Sequence, residues 1–253
     1  MKKKLINILL CCWGIVAMQH KVVAQAPAAL DQVMAEMKKM QAFYNTQNLS
    51  FGIKYTYANE HEPGKVLDSL SGQVELAGAS YRYSLDNMET IRNDRYNIIL
   101  FKEDKVMYLA KPGQNTSAAD PVELMKTALE RTGIENCEVL RNGHFKTIRI
   151  LFGANMPYRK MEMTIDTLSG YLLTMQYIVK TALLMEKPDE NDSTELTGYD
   201  EYAIVSTRFE HYRKIPADRS RFDEHTFFYR EGEVLKTTKA YQDYSLFVGT
   251  PNL

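Results

Sequence analysis

The chain has 253 residues, of which 25% are charged and 45% hydrophobic, with a formal net charge of −1. A near-neutral chain without a basic block excludes nucleic acid as an expected partner and gives no reason for adhesion to anionic lipid. The length suits one large β domain without a second folding unit.

The chain opens MKKKLINILLCCWGIVAMQHKVVAQAPA. Three lysines precede an apolar run from Leu5 to Met18, and small residues follow before Gln25, which is the pattern of a secretory signal peptide over residues 1–24. The run is shorter than the roughly 20 residues a membrane-spanning helix needs. Export to the periplasm is therefore expected, with a soluble remainder that is mildly acidic because cleavage removes four lysines and no acid. Cys11 and Cys12 leave with the leader. Cys137 is then alone, so no internal disulfide is expected and the core must hold the fold.

Residues 26–47, APAALDQVMAEMKKMQAFYNTQ, space Leu30, Val33, Met34, Met37, Met40 and Tyr44 helically, and set Asp31, Glu36, Lys38 and Lys39 on a charged side. From Asn48 the period changes to two. Phe51, Ile53, Tyr55 and Tyr57 alternate with Ser50, Gly52, Lys54 and Thr56. LDSLSGQVELA, SYRYSL, METIR, RYNIILF and KVMYLAK follow with turn residues between them, which reads as an antiparallel meander. A second helix is expected from Asp120 to Gly133, with Asp120 as cap, Pro121 in the first turn and Leu124 and Met125 on its apolar side. Beyond it, Asn142-Gly143 predicts a type I′ hairpin.

The stretch YRKMEMTIDTLSGYLLTMQYIV, residues 158–179, alternates as two strands and a turn. Met161, Met163 and Ile165 form one apolar row; Tyr171, Leu173, Met175, Tyr177 and Val179 form the next. After an acidic loop come YAIVSTRFEHYRK, TFFYRE and a last run to AYQDYSLFV. The fold class expected is α+β: one strongly bent antiparallel sheet covered by two helices.

No nucleophile elbow, phosphate loop, H-E-x-x-H or paired-cysteine zinc motif occurs. The residues richest in acid–base groups are Glu210, His211, Asp223, Glu224 and His225, a candidate hydrolase or zinc group. Strand alternation sets Glu210 and His211 on opposite faces, and nearby arginines offer the acids ordinary partners. No metal or other cofactor is expected. The methionines suit a cavity for variable acyl chains and equally suit an adaptable core.

The order of elements carries a resemblance. Phe51 and Tyr55, Ser71-Gly72, Tyr81-Arg82, Ile91, Tyr96, Val106 with Tyr108, and then MEMTIDTLSGYLLTMQYI resemble the periplasmic lipoprotein carriers of Gram-negative bacteria, the LolA-like family, over residues 28–180. The resemblance implies an unclosed β-barrel under a helical lid, with acyl chains in its apolar hollow. It implies a divergent member in which residues 25–253 form one domain with a C-terminal strand extension from about residue 182. Hollow and lid would then be lined by Met34, Met37, Phe51, Ile53, Tyr55, Leu124, Met125, Met161, Met163 and Met175. A monomeric, non-enzymatic carrier of a lipid or lipoprotein acyl chain is expected. The alternative is a structural or assembly component of the cell envelope or a secretion apparatus, with an envelope protein as partner.

Overall fold

The computed structural model describes residues 26–112, 133–184 and 198–250. The expected leader and the expected second helix, including Leu124 and Met125, lie outside these residues. One α-helix stands among them, α1 (Ala26–Asn45). No described helix is long and apolar enough to cross a membrane.

The strands are β1 (Asn48–Asn59), β2 (Val66–Ala77), β3 (Ser80–Leu85), β4 (Met88–Arg92), β5 (Asn97–Phe101) and β6 (Val106–Ala110) in the first half of the chain. The second half adds β7 (Ile134–Asn142), β8 (Phe145–Phe152), β9 (Tyr158–Asp166), β10 (Leu172–Lys180), β11 (Tyr202–Lys214), β12 (Phe228–Glu231), β13 (Val234–Thr237) and β14 (Ser245–Val248). All except the β12–β13 hairpin join one curved, unclosed sheet of 12 strands, in the order β14-β6-β5-β4-β3-β2-β1-β11-β10-β9-β8-β7. Every neighbouring pair is antiparallel except β14 with β6, which is parallel. β11 lies at the centre, between β1 and β10.

The Asn142-Gly143 hairpin forms with a different turn. Asn142 pairs with Phe145, so the two central residues are Gly143 and His144. Only Gly143 has positive φ, at 58°. Glycine first is the type II′ pattern, which also matches the twist of the flanking strands. A second difference lies in β10. The β9–β10 register shifts between Leu172 and Thr174, which turns Leu172 inward and Leu173 out of the predicted row.

The sheet buries opposite faces at its two ends. Leu30, Val33, Met34 and Met37 of α1 pack on Cys137, Ile148, Ile150, Met163, Ile165 and Leu172 of β7–β10. Phe51 shares this face, since its ring meets Tyr44 of α1 at 6.4 Å. Partners across an antiparallel ladder point the same way. From Phe51 the register runs through Val74, Tyr83, Thr90 and Ile99 to Tyr108, all on the α1 face. The residues between them, Ile91, Ile98, Leu100, Met107 and Leu109, therefore point to the reverse face. There they are buried under Phe222, Phe227 and Phe228. The expected cover of two helices on one face becomes, among the described residues, one helix on one face and the C-terminal segment on the other.

α1 is fastened to the sheet. Glu36, assigned to the charged side from its spacing, is buried and receives Lys146 at 2.5 Å and Lys39 at 2.9 Å. At the helix end, the Tyr44 hydroxyl accepts the Leu172 N–H at 2.9 Å, and the Tyr212 hydroxyl donates to the Leu172 carbonyl at 2.8 Å. Tyr44 therefore donates across the 3.0 Å separation to Tyr212. These bonds satisfy the Leu172 backbone where the register shift interrupts the ladder.

Gly72 faces Ile53 across the β1–β2 ladder. A Cβ there would run into the Ser84 carbonyl oxygen and come within 3.1 Å of the Ile53 side chain. Backbone on one side and core on the other leave little room to relax. Gly72→Ala is expected to cost about 1–3 kcal/mol, read as a lowered urea midpoint with unchanged slope.

Candidate functional site

Beyond the end of α1, the α1 face continues over β1, β2 and β3 as a row of apolar and aromatic side chains. Tyr55 and Tyr57 follow Phe51 and Ile53 by alternation, and Leu70 lies directly opposite Tyr55. With Leu85, Leu184 and Val205 they line an open hollow of about 240 Å³. The volume lies just under the roughly 300–1,000 Å³ of sites for drug-sized ligands. A second hollow of about 340 Å³ meets the first at Leu70 and Leu85 and adds Met88 and Phe101 with polar Asn87 and Glu103. The two form a trough with a greasy end and a polar end.

Two tyrosines near the trough, Tyr83 and Tyr177, have raised hydroxyl pKa values. Burial, joined by the hydrogen bond with Tyr55, pushes the Tyr83 hydroxyl well above its ordinary value. Burial also pushes Tyr177 up to about 12, with Tyr158 and Tyr55 adding to the shift. Tyr57 packs edge-on to Tyr199, with ring centroids 6.1 Å apart. Its hydroxyl is buried with no hydrogen-bond partner among the described residues. Such a group in a folded protein requires an explanation.

The residues expected to line the hollow divide into groups. Tyr55 is on its wall. Phe51 and Ile53 are buried in the central core that adjoins it. Met34, Met37 and Met163 are closed inside the core between α1 and the sheet, with exposures of 3%, 4% and 2%. Met161 and Met175 pack partly buried against that core. Tyr57, Leu70, Leu85, Leu184 and Val205 are not among the residues expected to line the hollow. The alternation of β1 and β2 carries a signal for Tyr57 and Leu70, whereas Val205 and Leu184 join them only through the long-range placement of β11 and the turn after β10.

The five-residue acid–base group does not assemble. Glu210 and His211 lie 3.5 Å apart on β11 opposite β1, where His211 sits at a bulge with φ 58°. Asp223, Glu224 and His225 gather separately, with ligand atoms within 4.8 Å of one another. Each has a structural task there. Asp223 accepts the His225 backbone N–H at 3.0 Å and meets its Nδ1 at 2.7 Å, which holds the carboxyl below its ordinary value. Glu224 is buried against Arg95 and accepts Asn93 at 2.7 Å. A neighbouring opening of about 360 Å³ has walls including Asn93, Arg95, Arg219 and Glu224, and its charges largely pair with one another. It offers no greasy lining comparable to the trough.

No family model matches the chain, and no curated protein matches it. Among solved structures it is similar to an uncharacterized conserved protein from Thermus thermophilus, at 7% identity and TM-score 0.44 over 86% of this chain and 98% of that one. It is similar to the Pseudomonas aeruginosa MucA/MucB complex structure, at 11% identity and TM-score 0.38 over 75% of this chain and 59% of that one. It is also similar to a LolA superfamily protein from Nitrosomonas europaea, at 8% identity and TM-score 0.32 over 74% of this chain and 97% of that one.

Proposed function

We propose that the protein is a non-enzymatic carrier or binder in the cell envelope that holds part of a lipid or lipoprotein acyl chain in the trough at Tyr55, Tyr57, Leu70 and Leu85. The observation that carries this reading is the apolar hollow itself, with Tyr57, whose hydroxyl is buried and unpartnered among the described residues, contributing to its wall. An acyl chain supplies methylenes for Leu70, Leu85 and Val205, and its ester or amide carbonyl supplies an acceptor for Tyr57. Each methylene buried contributes about 0.8 kcal/mol, so a handful suffices for reversible binding. The polar hollow beyond Leu85 gives the rest of an amphiphile a solvated exit.

In this reading α1 is fixed to the sheet beside the trough and is not a lid. Its methionines are closed into the core over β7–β10, and its ion pair and tyrosine bonds keep it in place. Phe51 and Ile53 support the trough from the adjoining core.

The protein purified from its native envelope is expected to release lipid on solvent extraction, identified by mass spectrometry. Leu70→Asp, at a position 40% exposed, is expected to abolish that recovery while the chain still folds. Lipid recovered equally from Leu70→Asp and from the parent would end the proposal. Tyr57→Phe provides a finer readout. It removes the orphan hydroxyl, so thermal stability is expected to hold or rise slightly. Affinity for a fluorescent acyl ester is expected to fall by about five- to tenfold, the size of one net hydrogen bond.

A further inference from the structure

The reverse face of the central strands carries a feature that the trough does not use. Lys54 of β1 and Arg208 of β11 are directly opposite one another in the ladder. Like charges in that position destabilise a sheet. Elsewhere cations meet acids: Arg149 meets Glu138 and Glu162, Arg82 and Lys102 share Glu89, and Arg221 meets Glu75. Neither Lys54 nor Arg208 has an ion pair with any described residue.

The two cations stand in an opening of about 360 Å³ whose walls also hold Thr56, Thr174, Ser206 and Gln176. Ladder pairing brings these groups together: Arg208 lies opposite Thr174, Thr56 opposite Ser206, and Ser206 opposite Gln176. Gln176 already donates to the Ser206 hydroxyl at 3.2 Å. The acid in the opening, Glu162, is engaged by Arg149 at 2.7 Å and Lys160 at 3.8 Å, so it does not neutralise the pair. The result is two exposed, unneutralised positive charges with hydroxyl and amide donors beside them, in a chain whose overall charge is −1.

We propose that this opening binds a phosphate-type oxyanion, with Lys54 and Arg208 supplying the charge and the Thr56, Thr174 and Ser206 hydroxyls completing its hydrogen bonds. A guanidinium offers two parallel donors to such a group and an ammonium adds a point charge. The anion relieves the repulsion between the two side chains, which accounts for their juxtaposition. The site lies on the opposite side of the sheet from the acyl trough, so occupancy of one does not depend on occupancy of the other. The phosphate belongs either to a free phosphate ester or to a lipid headgroup.

The test titrates inorganic phosphate into the full chain, followed by amide NMR shifts at β1, β10 and β11, with the parent compared to Lys54→Gln, Arg208→Gln and Thr174→Glu. Each variant is expected to weaken phosphate binding at least tenfold. The two glutamine variants are expected to keep or slightly raise the melting temperature, because a like-charge contact is gone. A purely structural role for the pair would lower it instead. Sedimentation with phosphatidylglycerol vesicles, against phosphatidylcholine vesicles, distinguishes the sources. Pull-down lost in Lys54→Gln supports a headgroup, whereas phosphate binding without pull-down supports a free ester. Phosphate shifts of equal size in the parent and all three variants, or none in the parent, would overturn the proposal.

Discussion

Phe227→Ala is expected to destabilise the protein by about 3–5 kcal/mol, the range for emptying a fully buried aromatic site. Phe227 is 1% exposed and sits with Phe222 and Phe228 on the reverse-face core formed by Ile91, Ile98, Leu100, Met107 and Leu109. Its carbonyl also accepts the Thr238 N–H at 3.0 Å, which joins the β12–β13 hairpin to the turn before it. The cavity is therefore backed by a sheet on one side and by a tied hairpin on the other, and neither can close over it cheaply. For a chain of this size the loss corresponds to a melting temperature lower by roughly 6–20 °C. Increased binding of a hydrophobic dye is expected below the transition, because loosening the C-terminal segment uncovers the strand face beneath it. A shift below about 1 kcal/mol, small against the cavity cost, would show that this segment is not a cover that the sheet requires.

The second large effect is expected from Lys146→Met. Removing one member of a buried ion pair leaves the other charge without compensation, at a cost of about 3–5 kcal/mol. Lys146 bonds Glu36 at 2.5 Å, with both side chains largely shielded, at 14% and 8% exposure. Lys39 remains as a partner at 2.9 Å, which places the expected loss at the lower end of that range. Burial by itself pushes the Glu36 carboxyl up, but the bonds and charges of Lys146 and Lys39 outweigh it and hold the group below its ordinary value of 4.5. The sign follows. A carboxyl lowered in the folded state contributes stability that is complete above its unfolded pKa and is lost as pH falls through the folded one. The gap in stability between the parent and Lys146→Met is therefore expected to be widest near neutrality and to narrow in acid below 4.5. Urea unfolding across that range checks it. The double change Glu36→Leu with Lys146→Met is expected to recover most of the loss, because no charge is then buried. A gap that does not vary with pH would place the effect in packing.

α1 and the strands of the meander are legible from side-chain period, and that part of the architecture agrees with expectation in detail. SYRYSL and METIR, for example, are β3 and β4 residue for residue. Local signals mislead where two nearby choices have similar cost. Asn142-Gly143 offers a turn one residue earlier than the pairing of Asn142 with Phe145 allows. Leu172 and Leu173 are adjacent leucines, and only the register shift against β9 selects the first for the core. Glu36 reads as surface from its spacing because Lys146, 110 residues away, is not a neighbour in sequence. The methionines are ambiguous in sequence for a related reason. Spacing shows that Met34 and Met37 lie on an apolar side, and only packing shows that this side is closed.

By itself the sequence determined the α+β class, the helix and strand segments, and the presence of a greasy sheet face, because alternation and helical spacing are local consequences of backbone geometry. Which face is covered, and by what, was decided only in the tertiary structure. A period of two marks both sides of a strand equally. The pairing of β11 with β1, and the passage of residues 222–228 beneath β4–β6, depend on contacts between residues more than a hundred positions apart. Those pairings leave Tyr55, Tyr57, Leu70 and Leu85 open, while Met34, Met37 and Met163 are buried between α1 and the sheet.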